Sequence, residues 1–143
     1  MSVVFDFLLK IRVLPACKTI ASKLLMYFFQ FEIPPQVILG KNVRFIHLGR
    51  GVILHPHTRV EDNVTIFPRV TVGRADAYKP YPNSQMESIV IKKGAVLCTG
   101  CCVLCKKGVL QIGENTVIGA NAVIVKSTGT NQVWHSPPAV ENV

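Results

Sequence analysis

FIHLGRGVILHPHTRVEDNVTIFPRVTVG, residues 45–73, decides the fold. From Leu54 onward an aliphatic side chain falls at every sixth position, at Val60, Ile66 and Val72. A second apolar residue stands two places before three of these four, at Val52, Val64 and Val70. A helix repeats its apolar face about every 3.6 residues and a half-buried strand about every 2. A period of six fits neither. It fits one flat side of a triangular coil, a short strand followed by a turn. The aliphatic residue points into the prism, and the residue two before it also points inward, near a corner. Gly or Asn at the turn accepts backbone angles that most residues resist.

The same frame extends in both directions. Ile33, Leu39 and Phe45 precede the quoted run, and Ile91, Leu97, Val103, Ile112, Ile118 and Ile124 follow it. Apolar or small inward partners stand at Val37, Val43, Ile89, Ala95, Cys101, Leu110 and Ala122. Three sides close a coil, and a coil cannot bury its own core, so the coils must stack as parallel sheets. A sandwich predicts alternation and an α/β fold predicts interleaved helices; neither pattern is present. The reading is an all-β parallel β-helix. Two phase slips interrupt it, Phe45 to Leu54 and Val103 to Ile112. A longer break, Arg74 to Ser88, is polar and contains prolines, so a loop over 74–88 is predicted. Long loops in compact domains often carry function.

Before residue 32 the texture differs. Residues 3–31 are rich in Phe, Leu, Ile and Val, broken by Asp6, Lys10, Arg12, Lys18 and Lys23, and Pro15 interrupts any single helix. The division predicted is a helical segment over 1–31, helices near 2–13 and 16–30, a β-helix domain over 32–143 and a tail over 127–143. Two roles stand open for the helices, packing against the main domain or a sister subunit, and lying on a membrane surface through residues 1–30. No apolar run approaches the ~20 residues that span a bilayer.

The chain has 143 residues, 49% of them hydrophobic, and a formal charge of +8. The basic balance favours anionic partners without choosing among them. Nucleic acid has no other support, because no aromatic-interleaved basic patch is present. Five cysteines, an odd number, and no recognisable signal peptide argue for a reducing, cytoplasmic location, with membrane association left open.

Three stretches resemble the hexapeptide-repeat acetyltransferases, most closely the serine acetyltransferase branch and its short relatives in polysaccharide biosynthesis. They are FEIPPQVILG at 31–40, the quoted run at 45–73, and IGENTVIGANAVIVK at 112–126, with Pro138-Ala139 resembling the family's closing pair. The resemblance covers residues 31–140 and implies a left-handed β-helix, a homotrimer and acetyl-CoA as co-substrate. It implies that His47 is the general base, taking the acceptor's hydroxyl proton as its oxygen attacks the thioester. Imidazole suits that task because histidine ordinarily titrates near neutral pH. It places Glu32 where the family has an orienting Asp, as in the hydrolase triads. CoA contacts map to Gly73, Thr99, Ala120, Val125 and Lys126, with Lys106 and Lys107 as further candidates.

The departures from the family matter. Ile46 stands where the serine enzymes have an Asp, and Glu87 and Ser88 stand where they have an Arg-flanked His. Those groups bind the charged ends of the amino acid. A sugar hydroxyl in a glycan precursor is therefore the acceptor expected, with serine as the alternative.

Cys98, Cys101, Cys102 and Cys105 have the spacing of a zinc site, but one rigid strand does not easily bring four thiolates onto a tetrahedron. His55 and His57 could share a metal on one strand face, yet the three-histidine spacing of the family's zinc enzymes is absent. No metal is expected. His135 lies in the tail with no assigned role. A non-catalytic assembly scaffold on the same fold is the reading from another class.

Overall fold

The computed structural model describes residues 3–12 and 14–136. It opens with two helices, α1 (Val3–Ile11) and α2 (Lys18–Phe29), shorter than the sequence suggests and separated at Pro15. Asp6 in the first turn of α1 and Lys10 in its last complement the helix dipole. α2 stops where Gln30 turns left-handed at φ 52° and its N–H reaches back to the Leu25 carbonyl.

Short strands then wind around a prism. In chain order they are β1 (Ile38–Leu39), β2 (Arg44–Phe45), β3 (Ile53–Leu54), β4 (Thr58–Val60), β5 (Thr65–Ile66), β6 (Thr71–Arg74), β7 (Gln85–Ile91), β8 (Val96–Leu97), β9 (Cys102–Cys105), β10 (Lys107–Ile112), β11 (Val117–Ile118), β12 (Val123–Ile124) and β13 (Val133–Trp134). They form three sheets, β1-β4-β7-β10, β2-β5-β8-β11-β13 and β3-β6-β9-β12. The neighbouring strands pair in parallel. Each sheet is one flank of the prism.

The six-residue frame marks the core. Ile33, Phe45, Leu54, Val60, Ile66, Val72, Ile91, Leu97, Val103, Ile112, Ile118 and Ile124 are all buried. Leu39 and Val43 are only half-buried, and both belong to the first coil. The end of that coil is covered by aromatic packing. Phe5 of α1 stands 5.5 Å from Phe31 and 6.4 Å from Phe45 between ring centroids. Phe31 and Phe45 are 4.7 Å apart. Such edge-on contacts add to the area each ring buries.

One corner repeats a left-handed residue in every coil. Asn42, Asn63, Gly94, Asn115 and Asn131 all have positive φ between 52° and 71°. Their amides stack: Asn42 Nδ2 donates to Asn63 Oδ1 at 3.3 Å, and Asn115 Nδ2 to Asn131 Oδ1 at 3.3 Å. Asn tolerates this conformation and satisfies the neighbouring coil at once.

Two boundaries differ from the sequence reading. The predicted loop over 74–88 is shorter, because Gln85–Ser88 already belong to β7. The second phase slip supplies their partner: Lys107 pairs with Gln85 and Gly108 with Met86, with a register shift before Val109 meets Ser88. The predicted tail over 127–143 begins with ordered structure, since β13 adds a rung to β11. Over β10 the hydroxyls of Ser127 and Thr128 replace a strand, accepting from Gln111 N and Gly113 N at 2.9 Å each. Pro138 and Ala139 lie outside the described residues.

Candidate functional site

The first phase slip makes a tight excursion at the corner that leads into β3. Its residues Ile46–Gly49 form a 3-10 turn in which His47 (φ 51°, ψ 41°) and Leu48 (φ 61°, ψ 26°) are left-handed. Gly49 follows at φ 62°. Left-handed backbone at a residue with a Cβ is strained, and such strain concentrates at functional sites. The turn holds because the segment beneath it is fixed. Gly51 N donates to Gln30 O at 2.9 Å, Glu32 N to Val52 O at 2.9 Å, and Leu54 N to Glu32 O at 2.9 Å. The Phe31 ring packs so closely under Gly49 that a Cβ there would lie 3.0 Å from it. His47 is left exposed at the tip.

Glu32 belongs to that supporting segment, bridging Ile53. Its side chain is exposed and shares a shallow cleft with Thr19, Lys23 and Met26 of α2. No hydrogen bond or ion pair joins it to His47 among the described residues. The structure thus brings Glu32 to the base of the His47 turn without making a dyad.

The residues expected at CoA fall around one flank. On the outer face of β3-β6-β9-β12, Ile53, Thr71, Cys102 and Val123 stack in register. Beside them Gly73 pairs with Leu104, and Val125 follows β12. A Cβ added to Gly73 would meet nothing within 4 Å, so this column is open. Thr99 and Ala120 stack at the corner before the flank, where Asn121 N donates to Thr99 O at 3.0 Å. Val125 and Lys126 line a cleft of about 240 Å³ with Lys106, Lys107 and Ser127. The Lys126 ammonium lies 5.6 Å from the centroid of the Trp134 ring. This flank joins an uncharged strip to a cluster of lysines, a surface suited to an apolar arm ending in phosphates.

A second cluster was not assembled by sequence reasoning. His55 and His57 stand at the next corner, with ring centroids 5.4 Å apart. The loop after β6 folds back on them. Tyr81 lies parallel to the His55 ring, its centroid 5.9 Å away, and the Arg74 guanidinium sits 5.1 Å from the Tyr81 centroid. His57 N donates to His55 Nδ1 at 3.1 Å, which fixes that nitrogen as an acceptor. His57 Nδ1 lies 3.1 Å from Glu87 O; a carbonyl only accepts, so the proton belongs on that nitrogen. Burial, then His57 and Arg74, push the His55 imidazole below its ordinary value. Asp76 anchors the loop, accepting from Ser84 Oγ at 3.1 Å and lying 3.8 Å from Arg74 Nη1. The histidine pair and the odd polar insertion were the signals available; their meeting required the loop's path.

Ile46 is half-buried, while Glu87 and Ser88 stand in β7, Ser88 paired with Val109. Cys101 and Cys105 are inside the prism, and burial pushes the Cys101 thiol up to about 12. Among the described residues, no three metal-ligating side chains converge. Exposed His135 has its Nδ1 3.2 Å from Ser136 O.

No protein-family model matches the chain. A putative serine acetyltransferase of Schizosaccharomyces pombe is 32% identical over 108 residues, 76% of this chain and 37% of that protein. The serine acetyltransferase of Bacillus subtilis is 32% identical, over 73% of this chain and 44% of its own length. That of Helicobacter pylori is 30% identical, over 76% and 58%. The chain thus spans less than two thirds of each of these relatives. Among solved structures, serine acetyltransferase isoform 3 of Entamoeba histolytica in complex with cysteine superposes with a TM-score of 0.75 at 18% identity, covering 98% of this chain and 48% of that one. A serine acetyltransferase complex with CoA gives 0.72 at 19%, covering 96% and 53%. The shared fold is their left-handed β-helix. On these grounds the chain has the left-handed β-helix fold of the hexapeptide-repeat acetyltransferases and is similar in sequence, over about three quarters of its length, to the serine acetyltransferase branch.

Proposed function

We propose that the chain is an acetyl-CoA-dependent O-acetyltransferase. The observation that carries the reading is the strained, exposed His47 turn beside the open, uncharged flank. Acetyl-CoA supplies an activated acyl thioester. The His47 imidazole takes the proton of the attacking hydroxyl and returns it to the departing thiolate. Glu32, at the base of the turn, orients it; catalytic contacts are often loose in the unliganded protein and tighten with substrate. Gly73 and Val125 border the pantetheine arm, Thr99 and Ala120 the corner it passes, and Lys126 a phosphate, as a point charge.

The relatives' names favour L-serine as the acceptor. The sugar hydroxyl expected from the sequence finds no support among those names. It stays as a second reading because Ile46, Glu87 and Ser88 do not supply the groups that grip an amino acid's charged ends. Thiol release from acetyl-CoA with L-serine, against a panel of simple sugars, separates the two. A homotrimer and peripheral membrane contact through residues 1–30 belong to the same proposal. The first is supported by the apolar flank, the second by exposed Phe7, Ile20, Tyr27 and Phe28 beside Lys10, Lys18 and Lys23. Among the described residues no helix is long and apolar enough to cross a membrane.

Calorimetry with acetyl-CoA tests the core of the reading. Micromolar binding weakened about tenfold or more, that is by at least ~1.4 kcal/mol, in Lys126→Glu is expected. No binding at millimolar ligand would move the protein to the scaffold reading.

A further inference from the structure

The seam between the helices and the first coil encloses a cleft of about 570 Å³. Lys10, Arg12 and Lys18 line it from the helical side, and Val37, Asn42 and Phe45 from the coil. Leu39 and Val43, the two inward positions that stay half-buried, also line it.

Arg12 is the feature that needs an explanation. Only 4% of it is exposed. Its Nη2 donates to Pro34 O at 2.6 Å and to Val37 O at 2.8 Å. Its Nε is buried without a partner among the described residues. The ion pairs among those residues are Arg74–Asp76 and Lys92–Glu61, so no carboxylate among them pairs with Arg12. Buried charges are ordinarily paired, and an orphaned donor asks for an acceptor. Burial pushes Arg12 down to about 10, which leaves it cationic at neutral pH. Asp6 is the one acid in the lining, against three cations.

We propose that this cleft binds a phosphate group, with Lys10 and Lys18 on its oxygens and Arg12 as the buried charge behind them. Three cations suit a dianion with tetrahedrally placed acceptors better than a carboxylate. The apolar lining accommodates the ester's substituent. The phosphate comes either from a soluble phosphate ester or from a lipid headgroup; the exposed apolar residues of α1 and α2 make the second source physically reasonable. The site is separate from the acetyl-CoA flank, and its test needs no CoA.

The full-length chain is titrated with glycerol 3-phosphate at constant ionic strength, and sedimented with phosphatidylcholine vesicles with and without phosphatidate. We expect binding of the soluble probe at about 1 mM or tighter, weakened at least tenfold in Lys10→Gln/Lys18→Gln. The charge-matched Lys79→Gln/Lys93→Gln control, at exposed lysines outside the helices and the cleft, should bind as wild type. If the double variant melts early, Lys18→Gln alone gives the reading. Phosphatidate-dependent pelleting with the same variant dependence, whether or not the soluble probe binds, assigns the lipid source. Soluble binding without pelleting assigns the free ester. Absence of both, or equal loss in both double variants, overturns the proposal.

Discussion

At His47 the backbone and the chemistry make opposite demands. The turn holds two consecutive residues with Cβ atoms left-handed, at φ 51° and 61°. Each costs about 1–2 kcal/mol relative to glycine. His47→Gly should therefore raise stability by roughly 1 kcal/mol, while lowering acetyl transfer by about 10²–10⁴. Urea melts and turnover on the same samples check both halves; unchanged turnover would remove His47 from the base role. His55 makes a pH prediction. Its folded value lies below its ordinary 6.5, so the unfolded chain binds the proton more readily. The stability this residue contributes is present above that ordinary value and is lost as pH falls through it toward the lower folded value. The melting temperature should drop between about pH 7.5 and 5, and His55→Phe should flatten that slope. A slope unchanged in the variant would assign the effect elsewhere. His47 became a candidate through the resemblance, and the phase slip marked it as a residue outside the inward frame. The left-handed run was not legible, since Leu48 carries no preference for that conformation. Nor was the stacking of Tyr81 on His55, which depends on where an irregular loop lands.

Among the elements, the period of six made the inward positions readable because each coil repeats one steric problem. The ends of elements were harder. Gln85–Ser88 read as loop because their polar residues fit no core, yet β10 pairs with them through backbone bonds that need no apolar side chain. The rung at Val133–Trp134 escaped for a related reason. The connection to it is held by Thr116, whose Oγ1 donates to Gly129 O at 2.7 Å and accepts from Gln132 N at 3.2 Å. That connection also fixes what Gly113 tolerates. A Cβ on Gly113 would collide with the Gly129 carbonyl, which is backbone and cannot rotate away. Gly113→Ala should cost about 1–3 kcal/mol. Gly119→Ala should cost less, since its Cβ would lie 3.1 Å from Trp134 O. Thermal melts of the two variants give the order, and a reversed order would mean that the 127–132 connection moves freely.

For the whole molecule, the proposed homotrimer sets a demand on the surface. A chain of +8 is expected to repel its copies, so contact should use a face without charge. The outer face of β3-β6-β9-β12 is one: Ile53, Thr71, Cys102, Val123, Gly73, Leu104 and Val125 carry no ionisable group except a thiol. Ile53 is 42% exposed, Val123 60% and Val125 61%, which is a large apolar outlay for a lone chain. Closed cyclic symmetry lets three copies cover such faces without leaving a free one. Light scattering at micromolar concentration should return three times the 15.8 kDa of one chain. Val123→Glu plants a carboxylate in every copy of that contact and should return a single-chain mass. Because the proposed CoA groove runs along the same face, the variant should lose acetyl-CoA affinity as it dissociates. A wild-type protein that scatters as one chain would remove the trimer. If such a monomer still bound acetyl-CoA, the groove would have to be built from one chain, with Val123 and Val125 packing directly on the pantetheine arm.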